Sequence, residues 1–162
     1  RASTSGIDPF RLAAVGVVAG LAAFPAVILS AHLESAAIFR TGTVLIGFGA
    51  GLFSVGTLTA AMNMSTSGRN GLALGAWGAV QATAAGLAIA LGGIIRDGVG
   101  SLAVSGTLGD ALASKATGYT AVYHIEILLL FATLVAIGPL VGQERSSKSR
   151  MPEKFGLAEF PG

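Results

Sequence analysis

Apolar positions along the chain gather into four long runs, each bounded by charged or turn-forming residues, and this pattern predicts four helices. The first covers about 12–31, with Arg11 before it and His32 and Glu34 after it. Asp8 followed by Pro9 is a start signal: a capping carboxylate, then a proline whose missing N–H costs nothing at that position. Pro25 lies inside this run, where a membrane helix tolerates it if neighbours satisfy the freed carbonyl. The second run, about 41–62, lies between Arg40 and Arg69 and ends in the polar turn "NMSTSGRNG". The third, about 71–95, reads "GLALGAWGAVQATAAGLAIALGG" and continues through Ile94 and Ile95 to a stop at Arg96 and Asp97. The fourth, about 120–142, has the strongly apolar middle "ILLLFATLVAIG". Each is close to the roughly 20 helical residues that cross a hydrocarbon core. The expected fold class is an all-α membrane protein.

The segments between the runs complete the layout. Residues 1–11 form a polar leading loop. Residues 96–119 read as a surface loop in which "SLAVSGTLGDALASKATGY" allows one short interfacial helix, broken by Gly106 and Gly109. The tail, 143–162, is polar and basic, then aromatic, and its Pro152 and Pro161 favour an extended chain.

Composition sharpens the class. Of 162 residues, 52% are hydrophobic and 11% charged, against about 25% charged in soluble domains. With a mean hydropathy of +0.75 the chain lacks the polar surface a soluble protein needs. The absence of cysteine excludes disulfides, thiolate metal sites and cysteine nucleophiles. A net charge of +2 is too small to point to nucleic acid, and the placement of basic residues says more. Arg1, Arg11, Arg69, Arg145, Lys148, Arg150 and Lys154 share one side if both ends and the turn after the second run do; Arg40, Arg96 and Lys115 fall on the other. The positive-inside rule then predicts both ends in the cytoplasm. The basic tail would gain about 1 kcal/mol per residue at an anionic membrane surface. The chain opens on Arg1 within a polar stretch, without an initiator methionine or signal peptide, and is expected to be a processed product or a fragment of something longer.

Small residues four apart let helix backbones approach closely, which is how helices associate in lipid. The third run carries Gly71 and Gly75, then Gly78, Ala82, Gly86 and Ala90; the first adds Gly16 and Gly20, the second Gly47 and Gly51. These positions predict a tightly packed bundle, or close backbone approach to a flat ligand or partner helix. Ionisable groups inside a membrane are functional candidates because holding them there is costly. The cores of the first three runs contain none. His124 and Glu126 are placed near the non-cytoplasmic end of the fourth, two apart and so on different helix faces, with Arg96 or Arg40 as a partner for Glu126. His32 and His124 are the only histidines, and a neutral imidazole can ligate a metal, including the magnesium of a chlorin. A structural role at the interface is the plainer reading of both. Gln81 is suited to a hydrogen bond between helices and Trp77 to an interfacial or lipid-facing position. No Walker loop, HExxH, GxSxG or acid cluster is present, which argues against catalysis and a catalytic metal.

Four stretches together resemble one family: "LIGFGAGLFSVGTLTAAM", "GLALGAWGAVQATAAGLAIALGGIIRD", "GYTAVYHIEILLLFATLVAIGPLV" and the ending "FGLAEFPG" are similar to the PucC/LhaA light-harvesting complex assembly proteins of purple phototrophic bacteria, within the major facilitator superfamily. The resemblance runs over almost the whole chain and is weakest across 98–117. It implies four of twelve transmembrane helices, spans nine to twelve, with both termini cytoplasmic in the inner, intracytoplasmic photosynthetic membrane. The implied partners are the missing N-terminal spans, the lipid bilayer, light-harvesting antenna polypeptides and, less directly, the reaction-centre complex. Delivery of bacteriochlorophyll is left open. The resemblance carries no catalytic residues. Gly75, Trp77, Gln81, His124 and Glu126 match the family pattern, and pigment or partner contact is the role considered for Trp77, Gln81, His32, His124 and Glu126.

The competing function is a secondary transporter of the same superfamily. Such proteins place coupling carboxylates near the membrane midplane, and the reading above puts none there. A pigment-modifying enzyme lacks any candidate acid, base or redox centre in this chain.

Overall fold

A computed structural model describes residues 8–65 and 69–141. Four helices follow one another: α1 (Pro9–His32), α2 (Ala36–Met64), α3 (Asn70–Val104) and α4 (Ala116–Ile137). Short 3₁₀ turns occupy Asp110–Leu112 and Gly138–Leu140. All four helices are long and apolar enough to cross a membrane, and no strand occurs among the described residues. The expectations for the basic tail and for "FGLAEFPG" fall outside the described residues.

The start of α1 follows the sequence signal. The Asp8 carboxylate accepts hydrogen bonds from the backbone N–H groups of Phe10 (2.9 Å) and Arg11 (3.4 Å), satisfying two donors left open by the first turn. The helix then continues through Pro25 to His32. A three-residue connection, 33–35, reverses the chain. Its Glu34 adopts φ +48°, the left-handed conformation that glycine commonly supplies after a helix. The Ser35 N–H returns to the Ser30 carbonyl at 3.0 Å, and the Ser35 hydroxyl caps α2 at Ile38.

The tightest contact is between α1 and α2, and its period is seven. The buried positions of α1 include Pro9, Ala13, Gly16, Gly20, Ala23, Val27 and Ser30, alternating steps of four and three. On α2, Gly42, Gly49 and Gly56 are buried. The helices run antiparallel: Gly56 meets Pro9 and Ala13, Gly49 meets Gly16 and Gly20, and Gly42 meets Ala23 and Val27. A Cβ placed at Gly16 would lie 2.5 Å from the Gly49 carbonyl oxygen, and one at Gly49 would lie 2.6 Å from that of Gly16. Only hydrogen fits there. A sustained seven-residue repeat is that of a coiled helix pair, here with glycines where leucines would stand in water.

This corrects the four-residue expectation for α2. Gly47 and Gly51 have nothing within 4 Å of where a Cβ would be. The backbone approaches α1 every second turn along one seam, and those two glycines lie off it.

Helix α4 closes the other side of α1, with the Phe24 and Tyr123 rings 5.7 Å apart and Gly20 against Leu130. It also holds the far half of α3. Gly118 sits against the Arg96 carbonyl oxygen, and a Cβ there would lie 3.2 Å from the Gly100 nitrogen. Helix α3 therefore does not end at Arg96 and Asp97. It continues to Val104, so the expected loop over 96–119 shrinks to the segment after α3, and α4 begins at Ala116 rather than near 120. The charges end the apolar run, while backbone hydrogen bonding and the Gly118 contact carry the helix on.

Candidate functional site

Trp77 and Gln81 lie one turn apart on α3, and both reach α2. The Trp77 indole N–H donates to the Thr57 hydroxyl and the Gln81 amide to the Ser54 hydroxyl, each at 3.2 Å. Thr57 in turn donates to the Phe53 carbonyl at 2.9 Å, which leaves its lone pairs toward the indole. Sequence reasoning identifies the two donors; their acceptors stand 20 and 27 residues away, beyond any local spacing rule. These bonds hold a stretch of α3 that otherwise touches α2 little.

Beside this latch, the four helices leave a cavity of about 310 Å³. Its wall includes the glycines of the α1–α2 seam, Gly16, Gly20 and Gly49, together with Ser54, Gln81 and Glu126. The volume is at the lower end of small-ligand pockets. The sequence pattern puts Glu126 near one end of its helix. It lies instead midway between Ala116 and Ile137, about 15 Å from either end at 1.5 Å per residue. The earlier start of α4 accounts for the difference. Nor does Arg96 pair with it: that guanidinium bonds Asp97 at 2.7 Å and stacks 5.4 Å from the Tyr119 ring centre. Arg40 is exposed near the start of α2. No basic side chain is among the residues lining the cavity. A second cleft, about 480 Å³, opens at one end of the bundle between Val27, Ser30, Phe39, Tyr119 and Tyr123.

Both histidines are exposed. His124 Nδ1 lies 2.7 Å from the Thr120 carbonyl, and His32 Nδ1 lies 3.2 Å from that of Ile28. A carbonyl only accepts, so Nδ1 carries a proton in each, and in the neutral imidazole Nε2 then keeps its lone pair. Among the described residues no group of three or more His, Asp or Glu side chains converges to hold a metal ion.

The small residues divide into two sets. Gly16 and Gly20 lie in the helix contacts. Gly71, Gly75, Gly78 and Gly86 have nothing within 4 Å of where a methyl group would stand, and Ala82 and Ala90 are exposed. The α3 ridge thus packs against none of the described residues. Around it Val80, Ile89 and Ile94 are 70%, 78% and 69% exposed. None of the apolar window of α3 is buried, compared with 33% of that of α1.

The fold and site define a polytopic helical membrane protein with a glycine-sealed helix pair, a mostly apolar cavity bearing one carboxylate, and a helix whose small-residue face is uncovered among the described residues. Comparison with known sequences sharpens this. The family described as PUCC protein matches over residues 1–145. The chain is 47% identical to an uncharacterized protein of the puhA–bchM intergenic region of Rhodobacter capsulatus, over 99% of this chain and 34% of that protein. It is 44% identical to Protein PucC of Cereibacter sphaeroides over 84% of this chain and 28% of the relative. Protein PucC of Rhodovulum sulfidophilum is 56% identical over 61% of this chain and 22% of its own length. This chain belongs to the PucC family. It spans about a third or less of the length of the relatives it matches. No solved structure gives a significant match.

Proposed function

We propose that the chain acts, without catalysis, in assembling bacterial light-harvesting complexes, offering α3 as a docking face for antenna polypeptides. Membership of the PucC family supports the photosynthetic setting, as does kinship to a protein encoded between puhA and bchM. The observation that carries the docking role is the bare α3 ridge. Single-span antenna helices are apolar, and a surface of Gly71, Gly75, Gly78, Ala82, Gly86 and Ala90 admits such a helix to backbone distance. The setting that goes with this reading is the inner, intracytoplasmic photosynthetic membrane, with both ends of the chain cytoplasmic and α1–α4 corresponding to the last four spans of a major facilitator bundle.

Bacteriochlorophyll enters the same reading. His124 is exposed, with Nδ1 committed to a carbonyl and Nε2 available, the arrangement typical of ligating histidines. It would hold the pigment magnesium, and His32 is the alternative at the end of α1. When bound, the pigment supplies a flat apolar ring for transfer to an antenna polypeptide.

A photo-cross-linker at position 86 tests the docking role in phototrophic membranes. Adducts with antenna polypeptides are expected. Adducts confined to further spans of a longer chain, or to the reaction-centre complex, would overturn antenna docking on this face. A second reading, transport, is favoured by one observation: Glu126 lies at mid-helix, the depth at which transporters place coupling carboxylates. Solute uptake by pigment-free vesicles, abolished when the proton gradient is collapsed, would decide for transport.

A further inference from the structure

We propose that the cavity between the four helices is a binding site for a small lipophilic amine, with Glu126 as its counter-charge. The lining carries a single ionisable side chain, Glu126, in a mostly apolar wall. The Gln81 amide N–H is committed to Ser54, and the Thr133 hydroxyl, also on the wall, is committed to the Leu129 carbonyl at 2.8 Å. Beside the Ser54 hydroxyl and the second N–H of the Gln81 amide, the wall offers the two oxygens of Glu126 and the side-chain oxygen of Gln81 as acceptors. The rest of the wall is apolar side chain and glycine backbone, with Phe24, Phe53 and Leu130 among it. A complementary ligand has a donor head and an apolar body.

Depth selects the kind of donor. A carboxylate in the hydrocarbon region is costly to hold and is found paired or facing a cavity. The described basic residues are all engaged or placed elsewhere: Arg11 at the start of α1, Arg40 at the start of α2, Arg69 before α3, Arg96 on Asp97, and Lys115 before α4. An ammonium head supplies both the donor and the missing positive charge. The apolar side chains of Val17, Phe24, Ile46 and Leu129 supply a lining for a slender alkyl body. The inference rests on neither the assembly reading nor the transport reading.

The test uses the full-length protein in lipid nanodiscs with radiolabelled octylamine as probe. Saturable binding is expected, displaced by unlabelled octylamine and not by octanol of the same chain length. Glu126→Gln keeps the shape and removes the charge, and should weaken binding about 30-fold or more, the scale of losing one partner of a desolvated charge pair. Glu126→Asp should recover part of it, and a thermal unfolding scan of each variant checks that the fold is kept. Equal binding by the native protein and Glu126→Gln would overturn the proposal, as would equal displacement by octanol. Absence of saturable binding together with a lowered unfolding temperature for Glu126→Gln would also overturn it, assigning Glu126 to a basic side chain of another span.

Discussion

Helices α1 and α3 are built from nearly the same residues, glycine, alanine and small aliphatics, and meet opposite fates. In α1 the small residues repeat with alternating steps of four and three and are sealed against Gly42, Gly49 and Gly56 of α2. In α3 they step by four from Gly78 through Ala82 and Gly86 to Ala90, after a step of three from Gly75, and no described residue covers Gly71, Gly75, Gly78 or Gly86. Small residues permit close packing; they do not say with whom. The repeat separates them only over 78–90, where steps of four wind around α3, whereas a seven-residue seam stays aligned along two helices.

The comparison is broken most severely at the seam. Gly49→Leu places a side chain against the Gly16 carbonyl, where neither backbone can yield, and should cost more than about 3 kcal/mol, the upper range for overpacking. Loss of folded protein in a detergent unfolding assay checks it. Gly118→Val meets the Arg96 backbone and should destabilise by about 1–3 kcal/mol, detaching α3 from α4. A cross-link between cysteines introduced on those two helices, formed in the native background and lost in the variant, reports this. Next come the side-chain bonds: Gln81→Leu should cost about 0.6 kcal/mol, the average for a hydrogen bond between membrane helices, with Trp77→Phe similar. Double-mutant cycles with Ser54→Ala and Thr57→Val isolate each bond. Gly86→Leu sharpens the contrast from the other direction. It should change the stability of the purified chain by less than about 0.5 kcal/mol, as at open surface positions, while lowering antenna yield in phototrophic cells. Equal stability and equal antenna yield would leave the ridge without a role.

Much of this fold is legible in the sequence because hydropathy and capping are local. Four apolar runs become four helices, and the Asp8–Pro9 signal marks the start of α1. Trp77 and Gln81 stand out because polar groups are rare in that stretch. The extension of α3 to Val104 is hidden, since a charged pair ends an apolar run without ending a helix. Glu126 is misplaced by the same effect: with the loop drawn too long, a mid-helix carboxylate reads as terminal. Gly42, Gly49 and Gly56 are legible only to a search at period seven. Of the site, the residue types can be read from the chain, but their convergence on one cavity depends on how all four helices cross.

The short link 33–35 has a consequence for how the protein is made. With three residues between α1 and α2, the two helices are expected to enter the bilayer as one hairpin, and every contact of the glycine seam lies within the stretch 9–56. Contacts beside the link, such as Gly42 with Val27, close the shortest loops and form first, and the seam then zips toward Gly56 and Pro9. Glu34 sits at the pivot in a conformation that costs an L-residue about 1–2 kcal/mol. Glu34→Gly should therefore stabilise the hairpin by up to about 1 kcal/mol and raise the fraction of nascent chains that insert as a pair, measurable by glycosylation mapping during synthesis. Helix α3 makes no such glycine seam with any described helix, and its ridge stays uncovered.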